Sequence, residues 1–123
     1  MSKRLLVVGT VFLLSACSSI TNTSFYDDNE SKAVVDVWVS VQNLDCSSEQ
    51  APQQVDDIVQ SKQWLKTYST GKGSKDVLEM VGIFEKSLDG MTGREFGETY
   101  CNLKKKTLLN QSEKMTRAMM RRF

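Results

Sequence analysis

The chain has 123 residues, 16 basic and 15 acidic, and a formal charge of +1, so its charge balance gives no reason to expect a nucleic-acid partner. It contains no histidine, which excludes Ser–His and Cys–His catalysis and removes the commonest metal ligand. The charges are unevenly placed: eight acids accompany two lysines from Asp27 to Lys62, whereas seven bases accompany one acid, Glu113, from Lys104 to Arg122.

The first element is apolar and short. Lys3 and Arg4 precede a ten-residue run, Leu5 to Leu14, interrupted only by Gly9 and Thr10. A basic start, a short apolar run and small residues at its end form a secretory signal peptide. As a helix the run would cover about 15 Å, half of a hydrocarbon core of roughly 30 Å. The residues that close it, Leu14-Ser15-Ala16-Cys17, resemble the lipobox of bacterial lipoproteins. That resemblance implies cleavage before Cys17, acyl chains on its sulfur and amino group, and a membrane anchor that does not release. Ser18, in the place where enterobacterial lipoproteins retained in the inner membrane carry aspartate, implies the outer membrane, with the domain facing the periplasm. On this division residues 1–16 are the signal peptide, 17–30 a lipidated start and tether, and 31–123 the periplasmic domain.

With Cys17 assigned to lipid, Cys46 and Cys101 remain as a pair in an oxidising compartment, and a disulfide is expected between them. Closing a loop of about 55 residues would stabilise the fold by roughly 4 kcal/mol in the chain-entropy model.

Residues 31–46 fit two patterns. Val35, Val37, Val39 and Val41 alternate as in a strand, while Val34, Val37, Trp38, Val41 and Leu44 share a helical face. No other stretch offers a strand to pair with, so a helix is expected. A loop follows, and Pro52 suits the first turn of a second helix. Its face carries Val55, Ile58, Val59, Lys62 and Leu65, with Trp64 and Tyr68 alongside, and Gly71-Lys72-Gly73 ends it. Ser74 is placed to cap a third helix, with Val77, Met80, Val81, Phe84 and Leu88 as its stripe and Gly90 at its end. Thr92 and Glu95 have the spacing of a capping box, which predicts a last helix from about Gly93 to Arg121. Its expected apolar face is Phe96, Tyr100, Leu103, Thr107 and Leu108, fading into Met115, Met119 and Met120. The fold class is therefore all-α: a small bundle of about four helices with one disulfide.

Two apparent motifs have structural explanations. Gly71-Lys72-Gly73-Ser74 has Lys66 where a phosphate-binding loop needs its first glycine, and a helix leads into it, so it is a turn. Asp56 and Asp57 point some 100° apart on a helix and suit its positive start. With no catalytic constellation, no enzyme, cofactor, metal or small-molecule substrate is expected. The basic segment supplies the partner-binding candidates: Lys104, Lys105, Lys106, Lys114, Arg117, Arg121 and Arg122. Acidic targets for it are a partner helix, lipopolysaccharide phosphates, or the acidic half of the same chain.

By lipobox, Ser18, small size and basic C-terminal helix, the chain resembles the outer-membrane spanin subunit of phage lysis systems. That resemblance implies pairing with an inner-membrane spanin subunit, although the single proline, Pro52, departs from the proline-rich stretch common in that family. By size, lipobox and cysteine pair it also resembles secretion-system pilotins, which escort a secretin to the outer membrane. An entry-exclusion or structural envelope lipoprotein is the remaining alternative.

Overall fold

The computed structural model describes residues 26–122. The lipobox residues Leu14, Ser15, Ala16 and Cys17 lie outside them. Four helices make up the domain: α1 (Asp28–Gln42), α2 (Ala51–Lys72), α3 (Lys75–Leu88) and α4 (Glu98–Met120), with one 3-10 turn, Asp89–Met91, after α3. Among the described residues there is no strand, so the valine alternation of α1 resolves as a helix. Val34, Val37 and Val41 are buried on one side, and Val39 faces outward.

Each helix packs on its neighbours in the cycle α1, α2, α3, α4 and back to α1. Pairing across every junction is antiparallel. Asp27 meets Tyr68, Lys62 meets Glu85, Gln111 meets Ser87, and Glu30 meets Arg122. This is an up-down-up-down bundle, which short connections favour. The centre is filled by Val37, Ile58, Leu65, Val81, Phe84 and Leu108, each at most 1 % exposed. Burying a side chain of this size stabilises the fold by roughly 2 kcal/mol.

Helix ends follow local chemistry. Asp27 caps α1, its Oδ1 accepting from the backbone N–H groups of Asn29 and Glu30. Gly73 closes α2 at φ +79°, and the N–H groups of Gly73 and Ser74 satisfy the carbonyls of Thr70 and Ser69, the Schellman arrangement that favours glycine. The glycine–lysine–glycine–serine segment is thus a helix stop.

Several sequence-based expectations need correction. Helix α1 begins at Asp28 rather than Ser31 and ends at Gln42, with Leu44 buried in the loop beyond it. The Thr92–Glu95 capping box does not form. The Thr92 hydroxyl bonds back to the Asp89 carbonyl, Gly93 turns the chain at φ +68°, and α4 starts at Glu98 after Gly97. Phe96 packs on the core from this loop. The buried face of α4 agrees only in part: Leu108, Met115 and Met119 point inward as expected, joined by Cys101, Ser112 and Thr116, while Tyr100, Leu103, Thr107 and Met120 are exposed. The disulfide fixes Cys101 on the inner side, and residues seven and fourteen positions later share that side.

Candidate functional site

The bundle has two chemically distinct ends, with grooves along its sides. At one end the C-terminal side of α1 meets the N-terminal side of α4. Here Cys46 and Cys101 form the disulfide, with Cα atoms 5.6 Å apart. Beside it the Lys105 ammonium donates to the carbonyls of Leu44, at 2.5 Å, and Gln42. A cation at the negative end of α1 complements its dipole and occupies carbonyls the helix leaves unpaired.

At the opposite end all four helices contribute charge. Two helix starts bring acids: Asp27 and Glu30 from α1, and Asp76 from α3. Two helix ends bring bases: Lys72 from α2 and Arg122 just beyond α4. Signs therefore alternate as the helix dipoles do in an antiparallel bundle. Glu30 is fully buried. Its carboxylate accepts from Arg122 Nη1 at 2.6 Å, Lys72 Nζ at 3.2 Å and Ser69 Oγ at 2.8 Å. Arg122, only 7 % exposed, turns its other nitrogen to Asp76, at 2.5 and 2.6 Å from the two carboxylate oxygens.

Burial alone would raise the pKa of Glu30. The hydroxyls of Ser74 and Ser69 and the cations Lys72 and Arg122 outweigh it and hold the carboxyl below its ordinary value. Of these two hydroxyls, that of Ser69 closes a hydrogen bond to the carboxylate, whereas that of Ser74 is buried beside it and acts as a dipole. Asp27 is lowered in the same way, burial opposing the Tyr68 hydroxyl, the α1 N–H groups and Lys72. Burial also opposes Arg122 at Asp76, whose pKa is again lowered. For Arg122 the shift is upward, desolvation being outweighed by Asp76 and Glu30. Halfway along the bundle Lys66 and Lys62 converge on Glu85 and lower it too, which explains how Lys62 lies on the apolar face of α2.

The basic segment is thus divided. Lys105 and Arg122 are used inside the domain, binding its acidic half. Lys104 lies over the Tyr100 ring at 5.7 Å, and Arg117 pairs with Glu113 on its own helix. Lys106, Lys114 and Arg121 stand on the outer surface. Sequence reasoning missed Glu30 and Ser69, having placed Glu30 in the tether, and it read Ser74 as the side-chain cap of α3, whereas Ser74 stands at the cap position without a capping side-chain hydrogen bond. The signal available was Asp27-x-x-Glu30, the spacing of an N-cap with an acid in the first turn.

Two open grooves lie along the sides. A cleft of about 520 Å³ between α1 and α2 is walled by Ala33, Trp64 and the Lys32–Asp36 ion pair. Trp64 stacks on Tyr68 with ring centres 5.3 Å apart. The other, about 450 Å³, runs between α3 and α4 and has Met80, Ile83, Lys106 and Lys114 in its walls. Among the described residues no group of three or more cysteine, aspartate or glutamate side chains is placed to hold a metal, and no helix is long and apolar enough to cross a membrane. Comparisons of the chain with family models, with curated proteins and with solved structures gave no match.

Proposed function

We propose that the chain is a non-enzymatic outer-membrane lipoprotein, held by acyl chains on Cys17, whose periplasmic bundle binds another envelope protein. The observation that carries this reading is the division of the basic segment. Lys105 and Arg122 lock α4 into the bundle, while Lys106, Lys114 and Arg121 remain on its outer surface. A finished bundle with a basic outer face suits docking of a partner on its surface. The chain enters the bundle at its charged end, since Tyr26 and Asp27 lead into α1. A lipid on Cys17 would therefore hold that end toward the membrane and the disulfide end away from it.

Two partners fit this arrangement. A secretin subunit, escorted by a pilotin-type lipoprotein, would meet the folded bundle as it stands, and the packing of α4 supports this reading. An inner-membrane spanin subunit, paired with an outer spanin acting in host lysis, would have to use the outer face of α4, because the inner face with Met115 and Met119 is buried. The anchor is tested by metabolic labelling with palmitate and membrane fractionation. Label in the chain, lost in Cys17→Ser, together with outer-membrane sedimentation, is the expected result. An unlabelled chain recovered without membrane sinks the lipoprotein. Purified secretin domain and purified inner-spanin ectodomain are then titrated separately against the chain, and binding of neither removes both partner assignments.

A further inference from the structure

We propose that the groove between α3 and α4 is a docking site for an acidic amphipathic helix of the partner protein. The inference rests on the partner-binding reading above and locates its surface. One wall is apolar: Met80 and Ile83, three positions apart on α3, share a face, and Ile83 is 51 % exposed. Leu103, 64 % exposed, lies one turn before Thr107 on the outward side of α4. The other wall is cationic, with Lys106 and Lys114 separated by eight residues, or about 12 Å along the helix. No carboxylate lines the groove.

Charge complementarity selects the occupant. Two unopposed ammonium groups beside an apolar strip match a helix whose apolar face is flanked by carboxylates seven or eight positions apart. The α1–α2 cleft is slightly larger, but its wall holds the Lys32–Asp36 pair, so it offers no net charge to a partner.

The test uses the full chain as recovered from cells, in detergent, and needs neither lipid nor natural partner. The probe is a fluorescein-labelled synthetic helix with leucines at i, i+3 and i+7 and glutamates at flanking positions eight apart. A second peptide carries lysines in place of the glutamates. Saturable anisotropy is expected for the glutamate peptide only, weakened about tenfold or more by Lys106→Glu with Lys114→Glu and also by Ile83→Asp. Trp64→Ala should leave it unchanged. The paired lysine reversal should transfer binding to the lysine peptide, which a merely unfolded variant cannot do. Absence of saturable binding overturns the proposal. So does equal binding by the charge-reversed variant, or adsorption to phosphatidylglycerol or lipopolysaccharide vesicles with no peptide binding. Failure of palmitate labelling would overturn the anchor and leave this measurement standing.

Discussion

The two ends of the bundle solve one problem with different chemistry. Both hold α1 against α4, the two helices furthest apart in sequence. At one end a covalent bond does it: Cys46 and Cys101 are joined, and the tie is indifferent to acid and salt. At the other, Arg122 reaches the buried Glu30, 92 positions away in the chain, within a cluster that depends on ionisation. The first end restricts the unfolded chain. The second stabilises only what is already folded, because its charges gain their partners after burial. Reductants and acid should therefore attack the molecule from opposite ends.

The largest effect is expected at the covalent end. Replacing Cys46 and Cys101 together by serine should lower the unfolding free energy by about 4 kcal/mol, given the 55-residue separation. Urea unfolding of this variant, and of the natural chain with and without reductant, measures it. Reduced and oxidised chains of equal midpoint would show that the disulfide adds nothing to what packing and the charged end supply.

Next is Glu30→Ala. It leaves Arg122 and Lys72 desolvated without their shared partner, and removing one member of a buried pair costs about 3 kcal/mol or more. Asp76 still faces Arg122, so Arg122→Ala in the same background should cost less than it does alone. A double-mutant cycle over the two positions reads that coupling directly, and a coupling near zero would reduce the charged end to surface ion pairs.

Much of this architecture was legible beforehand, because the helical stripes and stops are local signals. Val77, Val81, Phe84 and Leu88 on α3 and the stop at Gly73 stand where the pattern puts them. The disulfide followed from counting cysteines once Cys17 was set aside. What the sequence hid is long-range and polar. Nothing local to Glu30 announces that Arg122 will neutralise it, and a charged residue beside a polar stretch reads as solvated. Part of the inner face of α4 was missed for a related reason. Leu103 is apolar yet exposed, whereas Ser112 and Thr116 are polar yet buried, each hydroxyl bonding a carbonyl one turn earlier. Hydroxyls satisfied inside their own helix can sit in a core at little cost, and apolarity alone does not find them.

Acid distinguishes the two ends with smaller changes. Glu30 in the folded chain lies below its ordinary 4.5, and Asp27 and Asp76 lie below 3.8. A lowered folded pKa means that the unfolded chain takes up protons first as pH falls. The stabilisation is thus complete above the ordinary values and is lost as pH drops through them toward the folded ones. Unfolding free energy should be flat from pH 7 to about 5.5 and then fall, and Glu30→Ala should flatten the fall. The slope should survive in the double serine variant, since the disulfide takes no part in it. An acid limb unchanged by Glu30→Ala would assign it to other carboxylates, with Glu85 the next to examine.

The smallest expected effect comes from a cation at the covalent end. Lys105 donates to Leu44 and Gln42 beside the disulfide, and Lys105→Met keeps most of the side-chain volume while freeing those carbonyls. With the disulfide intact the loss should be about 1 kcal/mol, the worth of a typical hydrogen bond to partly solvated backbone. In the double serine variant the same substitution acts where only packing and this ammonium hold the end of α1 to α4. Neighbouring ties that share one element are not additive, so the loss there should exceed the loss with the disulfide present. A loss of equal size in both backgrounds would mean that Lys105 only caps α1. A larger one would make it a second clasp, a small electrostatic counterpart at the covalent end to Arg122 at the other.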